Sequence, residues 1–130
     1  MSSSNVASSP AKVITALASA LRDGRVADAL ALYEPDAVFV PKPAAPPIAG
    51  RIAIQEALAQ FAALKPRMSS NIRSIVVAGD VATVINDWQL TGIALDGSCV
   101  SMAAISADVM RRRADNTCGI LIDDPWALSA

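Results

Sequence analysis

Three aspartates in the C-terminal half of the chain are the residues best suited to acid–base chemistry. Asp87, Asp108 and Asp123 each interrupt an apolar stretch of the kind that forms a half-buried strand. Carboxyl groups gathered on a partly buried surface repel one another and lose solvation, so at least one pKa should rise. A protonated carboxyl can donate to a developing oxyanion, while an ionised neighbour accepts a proton or activates water.

The first of two turn sequences predicts how two of these acids are placed. If Asp96-Gly97 is a two-residue hairpin turn, Asp87 lies opposite Ser106, and Ile85 lies opposite Asp108. Paired residues share a face, and side chains alternate between faces along a strand. Asp87 and Asp108 would therefore lie on the same face of the sheet.

The second turn adds the third acid to this face. If Asp115-Asn116 is also a two-residue turn, Asp108 lies opposite Asp123. A slip of one residue in either hairpin would separate the acids. The other face of the Asp87 strand, which includes Trp88, is at least as apolar, so the pattern also allows the aspartates to face solvent.

Three helices and a short strand come before these strands. Ser9 and Pro10 suit the N-cap and first turn of a helix that ends at Asp23-Gly24. A second apolar stripe ends with Tyr33, before Glu34-Pro35, and a third helix is predicted over 52–64. Strands are predicted at 37–40, 68–78, 81–91, 99–112 and 118–123, with a proline-rich loop after the first. Helices followed by a meander of long strands indicate one α+β domain over 9–130, with residues 1–8 disordered.

The composition narrows the function classes. The chain has no histidine and two cysteines, Cys99 and Cys118, which argues against a metal site and against histidine-dependent nucleophiles. A net charge of −1 with scattered basic residues argues against nucleic-acid binding. The sequence contains no apolar run long enough to span a membrane and no evident signal peptide, so we expect a cytoplasmic protein without membrane contact.

The chain from Pro10 to Trp126 resembles the nuclear-transport-factor-2-like superfamily. That group includes SnoaL-like cyclases, ketosteroid isomerases and limonene epoxide hydrolases. The resemblance is carried, in order, by ALALYEPDAVFV, PPIAGRIAIQEAL, VINDWQL, SADVMRR and ILIDDPW. It implies a cone-shaped, curved antiparallel sheet packed against three N-terminal helices, the cystatin-like α+β barrel, with a deep apolar pocket and a homodimer.

The resemblance also assigns roles to the acids. Asp108 matches the protonated aspartate of the isomerase oxyanion hole, whereas the isomerase base falls on Pro41 and its tyrosine on Leu17. Asp87 and Asp123 match the two carboxylates of the epoxide hydrolase. The arginine that bridges those carboxylates falls on Ile85.

The implied ligand is a small hydrophobic molecule, and no cofactor is expected. Gly119, on the Asp123 side of its strand, would widen the cavity. The predicted substrate-binding residues are Leu17, Phe39, Phe61, Ile85, Met102, Ala104, Ser106, Leu121 and Trp126.

Two functions remain open. One is a cofactor-independent enzyme that uses Asp123 as base or water activator, Asp108 as protonated partner and Asp87 as second acid. Its substrate would be a small hydrophobic ketone, epoxide or polycyclic molecule. The other is a non-catalytic binding or dimerisation module of the same fold.

Overall fold

A computed structural model of the protein describes residues 8–129. The disorder expected for residues 1–8 therefore concerns a segment that, apart from Ser8, lies outside the described residues. The helices and strands follow in the order α1 Pro10–Arg22, α2 Val26–Ala31, β1 Tyr33–Phe39, β2 Ile48–Ala49, α3 Arg51–Ala62, β3 Arg67–Ala78, β4 Val81–Ile93, β5 Cys99–Arg112 and β6 Cys118–Ser129.

The three helices pack on one face of a curved, six-stranded sheet. The strand order is β2-β1-β6-β5-β4-β3, and all neighbours are antiparallel except β1 and β6, which are parallel. Fully buried helix residues such as Val13 and Leu58 meet Val84 and Met110 of the sheet in one core. The α+β fold predicted from the sequence is confirmed, and the sheet is not closed into a barrel.

The first helix has the boundaries that its sequence predicts. The Ser9 side chain accepts a hydrogen bond from the Lys12 backbone N–H, and Pro10 occupies the first turn. Gly24 follows the C-cap Asp23 with a φ of 73°. Such a left-handed backbone favours glycine, so the helix ends there.

The second helix is shorter than predicted, which changes the place of Tyr33. Helix α2 ends at Ala31, and Tyr33 begins strand β1. Pro35 disfavours a helical conformation at Glu34. Helix α2 ends two residues before Tyr33, where the apolar stripe ends. Tyr33 therefore belongs to the sheet.

The β4–β5 hairpin has a three-residue loop, so the two-residue turn predicted at Asp96-Gly97 is wrong. Ala94 pairs with Ser98, whose backbone N–H also donates to Asp96 Oδ1 at 2.9 Å. Gly97 has a φ of 85°, which suits the left-handed last position of such a loop. The extra residue moves the register by one, and Asp87 lies opposite Ile105 instead of Ser106.

The β5–β6 hairpin also has a three-residue loop, but a β-bulge in β6 then restores the predicted register. Arg113 pairs with Thr117, and Asn116 takes the left-handed position with a φ of 67°. A β-bulge at Leu121 adds one residue to β6, because Ile120 pairs with Met110 while Ile122 pairs with Val109. The two shifts cancel. The prediction that Asp108 lies opposite Asp123 is confirmed.

The bulge also moves Gly119 away from the cavity, so the predicted widening is wrong. Gly119 instead packs against a buried ion cluster. Glu34, which is 7% exposed, accepts from Arg111 Nε at 3.0 Å and from Arg113 Nε at 2.7 Å. A Cβ at Gly119 would lie 2.7 Å from Arg113 Nε and closer still to a Glu34 carboxylate oxygen.

Gly119→Ala should therefore lower stability and leave ligand binding unchanged. Steric conflict with the ion cluster should reduce the free energy of unfolding by about 1–3 kcal/mol, as is usual for overpacked sites. Urea unfolding of both proteins measures this difference. A stable Gly119→Ala protein with altered pocket binding would instead place Gly119 at the cavity.

Candidate functional site

An apolar cavity of about 80 Å³ lies between the helices and the inner face of the sheet. Hydrophobic side chains form most of its wall, and the polar groups come from five strands, β1, β3, β4, β5 and β6. Its lining residues are Ile14, Leu17, Ala18, Leu21, Tyr33, Phe39, Leu58, Phe61, Met68, Ser70, Asn86, Trp88, Leu90, Ser106, Asp108, Asp123 and Pro125.

Asp123 is buried beside a tyrosine hydroxyl. The Tyr33 O–H donates a hydrogen bond to Asp123 Oδ2, and both residues are nearly inaccessible to solvent. Burial first, and then the negative charge of Asp123, hold the pKa of Tyr33 well above its usual value. Tyr33 therefore stays protonated and remains a donor.

Asp108 faces Asp123 from the neighbouring strand. Its Oδ1 accepts from the Asp124 backbone N–H at 3.1 Å, and its Oδ2 lies 3.2 Å from Ser106 Oγ. Burial, followed by the adjacent charge of Asp123, raises the pKa of Asp108 well above its usual range. Asp108 is thus the carboxyl that keeps its proton.

Asp123 is the member of the pair that ionises first. Burial raises its pKa, but hydrogen bonds from Tyr33 and Asp108 act in the opposite direction because they stabilise the carboxylate. Two buried carboxyls in such contact titrate as one coupled system. Asp123 thus lies between two O–H donors, Tyr33 and Asp108, that favour its ionised form.

Asn86 adds a polar group that the sequence analysis missed. It is 5% exposed, and its Nδ2 donates to Ser70 Oγ at 3.2 Å. Within residues 8–129, its buried Oδ1 has no hydrogen-bond partner. An unpaired buried oxygen is costly unless a ligand or water contacts it. A lone Asn in an otherwise apolar strand face was the signal for it.

Trp88, which lines the cavity, packs against a second tryptophan. The Trp88 indole donates from Nε1 to the Pro125 carbonyl at 2.8 Å and contacts Trp126 edge to face, with 5.0 Å between ring centroids. The one-residue change in register places Asn86 and Trp88 on the face of Asp108. The predicted two-residue turn would place Trp88 on the face opposite the acids.

The predicted substrate-binding residues divide into three groups. Leu17, Phe39, Phe61 and Ser106 line the cavity. The adjoining tryptophan cluster contains Met102, Ala104 and Trp126. The other two do not line the cavity: Ile85 pairs with Ala107 on the outer face, and Leu121 occupies the bulge.

Asp87 lies outside the pocket, so its predicted grouping with the other two acids is wrong. It occupies the outer face of the sheet, where Arg73 NH2 donates to its Oδ2 at 2.9 Å. Its side chain is 28% exposed, as suits a solvated ion pair. The cause is the three-residue loop of the first hairpin, which no bulge compensates.

Residues 8–129 contain neither a cluster of metal-binding side chains nor a helix long enough to span a membrane. Within residues 8–129, no three His, Cys, Asp or Glu side chains converge in a way that could hold a metal. The longest helix in that range, α1, has 13 residues, fewer than an apolar helix needs to cross a bilayer.

The raised pKa of Asp108 predicts a pH-dependent difference in stability. A carboxyl with a raised folded-state pKa stabilises the fold below its unfolded value of 3.8 and loses that contribution as pH rises. Asp108→Asn cannot ionise and keeps an acceptor for Asp124 N–H. Its stability relative to wild type should rise between pH 4 and 8, by up to about 1.4 kcal/mol per pH unit. Urea unfolding across this range measures it, and a flat difference would contradict a buried, protonated Asp108.

Comparison with solved structures shows where this architecture recurs. A ketosteroid isomerase-like protein from Erwinia carotovora atroseptica has a TM-score of 0.74 at 19% identity, covering 91% of this chain and 92% of that one. A protein from Streptomyces avermitilis, named as a candidate dehydratase of the NTF2-like family, has a TM-score of 0.73 at 18% identity. The match covers 85% of this chain and 88% of that one. A protein from Xanthomonas campestris, named for the association domain of calcium/calmodulin-dependent protein kinase II, has a TM-score of 0.74 at 21% identity. The match covers 88% of this chain and 81% of that one. At such identities the likeness shows the fold and not an activity.

The sequence itself gives the family. No curated protein matches the chain. The profile of the SnoaL-like domain matches residues 14–116, which include both helices and strands of the cavity wall. The chain therefore belongs to the SnoaL-like domain family of the NTF2-like superfamily.

Proposed function

We propose that the protein is a cofactor-independent enzyme that moves protons on a small hydrophobic ketone. The observation that carries this proposal is the buried carboxylate of Asp123, which lies between the O–H groups of Tyr33 and Asp108 at the wall of an apolar cavity. A base and two acids with separated pKa values are the groups needed to make and protonate an enolate.

The reaction begins with transfer of a proton from the carbon next to the carbonyl. That C–H bond breaks, its electron pair forms the enolate, and the proton passes to Asp123. The loss of charge on Asp123 weakens its hydrogen bonds from Tyr33 and Asp108. Their O–H groups can then donate to the enolate oxygen, which now carries the charge. In a β,γ-unsaturated ketone, return of the proton from Asp123 to the γ-carbon completes an isomerisation. In a substrate with a second carbonyl, the enolate carbon attacks that carbonyl, and the proton on Asp123 passes to the new alkoxide, which gives a cyclisation.

The geometry favours ketone chemistry over epoxide hydrolysis. Epoxide hydrolysis would need Asp87 and Asp123 together, one to protonate the epoxide and one to activate water. Asp87 lies on the outer face of the sheet, away from Asp123.

The volume of the cavity also restricts the size of the substrate. The cavity of about 80 Å³ is smaller than the roughly 150 Å³ cavity that holds a benzene molecule. A small ketone fits this space, and a polycyclic molecule does not fit it whole.

Exchange of ketone protons with deuterium tests the proposal without knowledge of the natural substrate. Wild-type protein in D2O should accelerate the loss of the α-proton NMR signals of butan-2-one above the rate in buffer. Asp123→Asn should lower this acceleration by about 10²-fold or more, because it removes the general base.

Asp87→Asn is the matched control, since it makes the same change on the outer face. It should exchange at the wild-type rate. Exchange by the wild-type protein no faster than in buffer would contradict the enzyme. Equal losses in the Asp87 and Asp123 variants would contradict the assignment of the base.

The second candidate is a binding or dimerisation module, and a feature of the outer face favours it. Val76, Thr83, Val109 and Ile122 form a continuous row across four strands. Val76 is 60% exposed and Ile122 is 39% exposed. An apolar row on an open sheet face is typical of an interaction surface.

A homodimer through this row is part of the proposal. The same face carries the Arg73–Asp87 ion pair, so it presents both charges beside an apolar strip. A two-fold contact requires such a surface, which can be complementary to itself.

The free cysteines, Cys99 exposed and Cys118 buried, suit the reducing cytoplasm that we propose as the location.

A lysine in place of Ile122, at the β6 end of the row, should dissociate the dimer. Wild type should have the mass of two chains in size-exclusion chromatography with light scattering, and Ile122→Lys should have the mass of one, because a charge would be buried in the interface. Leu95→Lys is the control, since Leu95 is 95% exposed in the β4–β5 loop. A monomeric wild type, or an Ile122→Lys dimer, would contradict this interface. A dimer without deuterium exchange would favour the module over the enzyme.

A further inference from the structure

A second and larger cavity lies beside the one that contains the acid pair. It has a volume of about 560 Å³ and lies between helix α1 and strand β3. The two cavities share four lining residues, Ile14, Ala18, Met68 and Ser70. These side chains are mostly apolar, so a ligand that passes them can place one end in each cavity. We refer to the two spaces as the inner and the outer cavity.

The outer cavity carries positive charge, whereas the inner cavity carries negative charge. Arg22 and Arg67 line the outer cavity, and its lining contains no Asp or Glu. Arg67 makes no ion pair with any residue in the range 8–129, in contrast to Arg73 and Arg113. Arg22 contacts Asp23 through Nε at 3.2 Å, and its side chain is 56% exposed.

We propose that the substrate is an amphipathic oxo acid, with its carbonyl in the inner cavity and its carboxylate in the outer cavity at Arg67 and Arg22. This inference rests on the proposed function for the role of the carbonyl. A guanidinium fork matches the geometry of a carboxylate and binds it with charge-assisted hydrogen bonds. The alkyl chain of the substrate passes Ile14, Ala18 and Met68.

The charges also fix the direction in which this substrate binds. The inner cavity is poorly solvated and contains two buried carboxyl groups, Asp108 and Asp123, so a carboxylate placed beside them would be desolvated and repelled. The same carboxylate in the outer cavity is attracted by two guanidinium groups. A neutral carbonyl is therefore the end that reaches the acid pair, and the reacting carbon is selected by its distance from the carboxylate.

Matched probes can test this inference by binding alone. The acids are 5-oxohexanoate, 7-oxooctanoate and 9-oxodecanoate, and the controls are their amides, which have the same shape without the charge. Calorimetry should show that wild type binds one acid of the series about tenfold more tightly than its amide. Arg67→Gln should reduce this preference to about twofold, because the loss of affinity is larger for the charged acid than for its neutral amide.

Two further variants make the result specific to the outer cavity. Arg22→Gln should also reduce the preference for the acid. Arg73→Gln removes a guanidinium from the outer face of the same strand and should keep the full preference. Binding of the amide serves as the check that each variant is folded. Equal affinities for acid and amide in wild type, an undiminished preference in Arg67→Gln, or no binding of any probe would overturn the inference.

The outcomes separate this inference from the proposed function. If an acid binds in a way that depends on Arg67 but the protein exchanges no α-protons, the anion site is supported and the enzyme is contradicted. Deuterium exchange into butan-2-one without a preference for acids would leave the enzyme and remove the oxo acid.

Discussion

The site depends on one pairing in the sheet, the placement of Asp108 opposite Asp123. This pairing is the result of two departures from a regular hairpin. The loop before β6 contains one residue more than the tightest turn allows, and the bulge at Leu121 returns the strand to its earlier alternation. If either feature were absent alone, Asp123 would point away from the cavity, and the acid pair would not exist.

A second interaction brings Tyr33 to this pair. The neighbouring residue, Glu34, is held by Arg111 and Arg113 from the end of β5 and the loop that follows it, and Arg113 also donates to the Tyr33 carbonyl at 3.2 Å. The ion cluster thereby fixes the start of β1 against the rest of the sheet. Its compact form requires Gly119, because a side chain there would occupy the space of the two charged groups. A structural cluster outside the cavity thus positions a donor inside it.

The sequence was sufficient for the three helices, the four long strands and the α+β architecture, but not for strand β2 or for the faces of all strands. Helix α1 and strand β5 have signals within their own residues, such as the Ser9 cap and the long apolar alternation, and both agree with the structure. The face of Asp87 depended on the length of a loop, and Asp-Gly occurs in both two-residue and three-residue loops. The sequence pattern assigned Tyr33 to a helix instead of a strand, because a helical stripe and the start of a strand look alike over so few residues. Asp108 and Asp123 were paired correctly only because the bulge cancelled the same error.

The contrast between Asp87 and Asp123 explains why burial and not residue type defines the site. Asp87 has a partner of opposite charge, Arg73, and its side chain has access to solvent. Asp123 has only neutral O–H donors, which stabilise its charge without cancelling it. A carboxylate with a full cationic partner would be a weaker base, because the cation would lower its pKa further. Neutral O–H donors in place of a cation therefore suit the proposed role of Asp123 as a base that takes a proton from carbon.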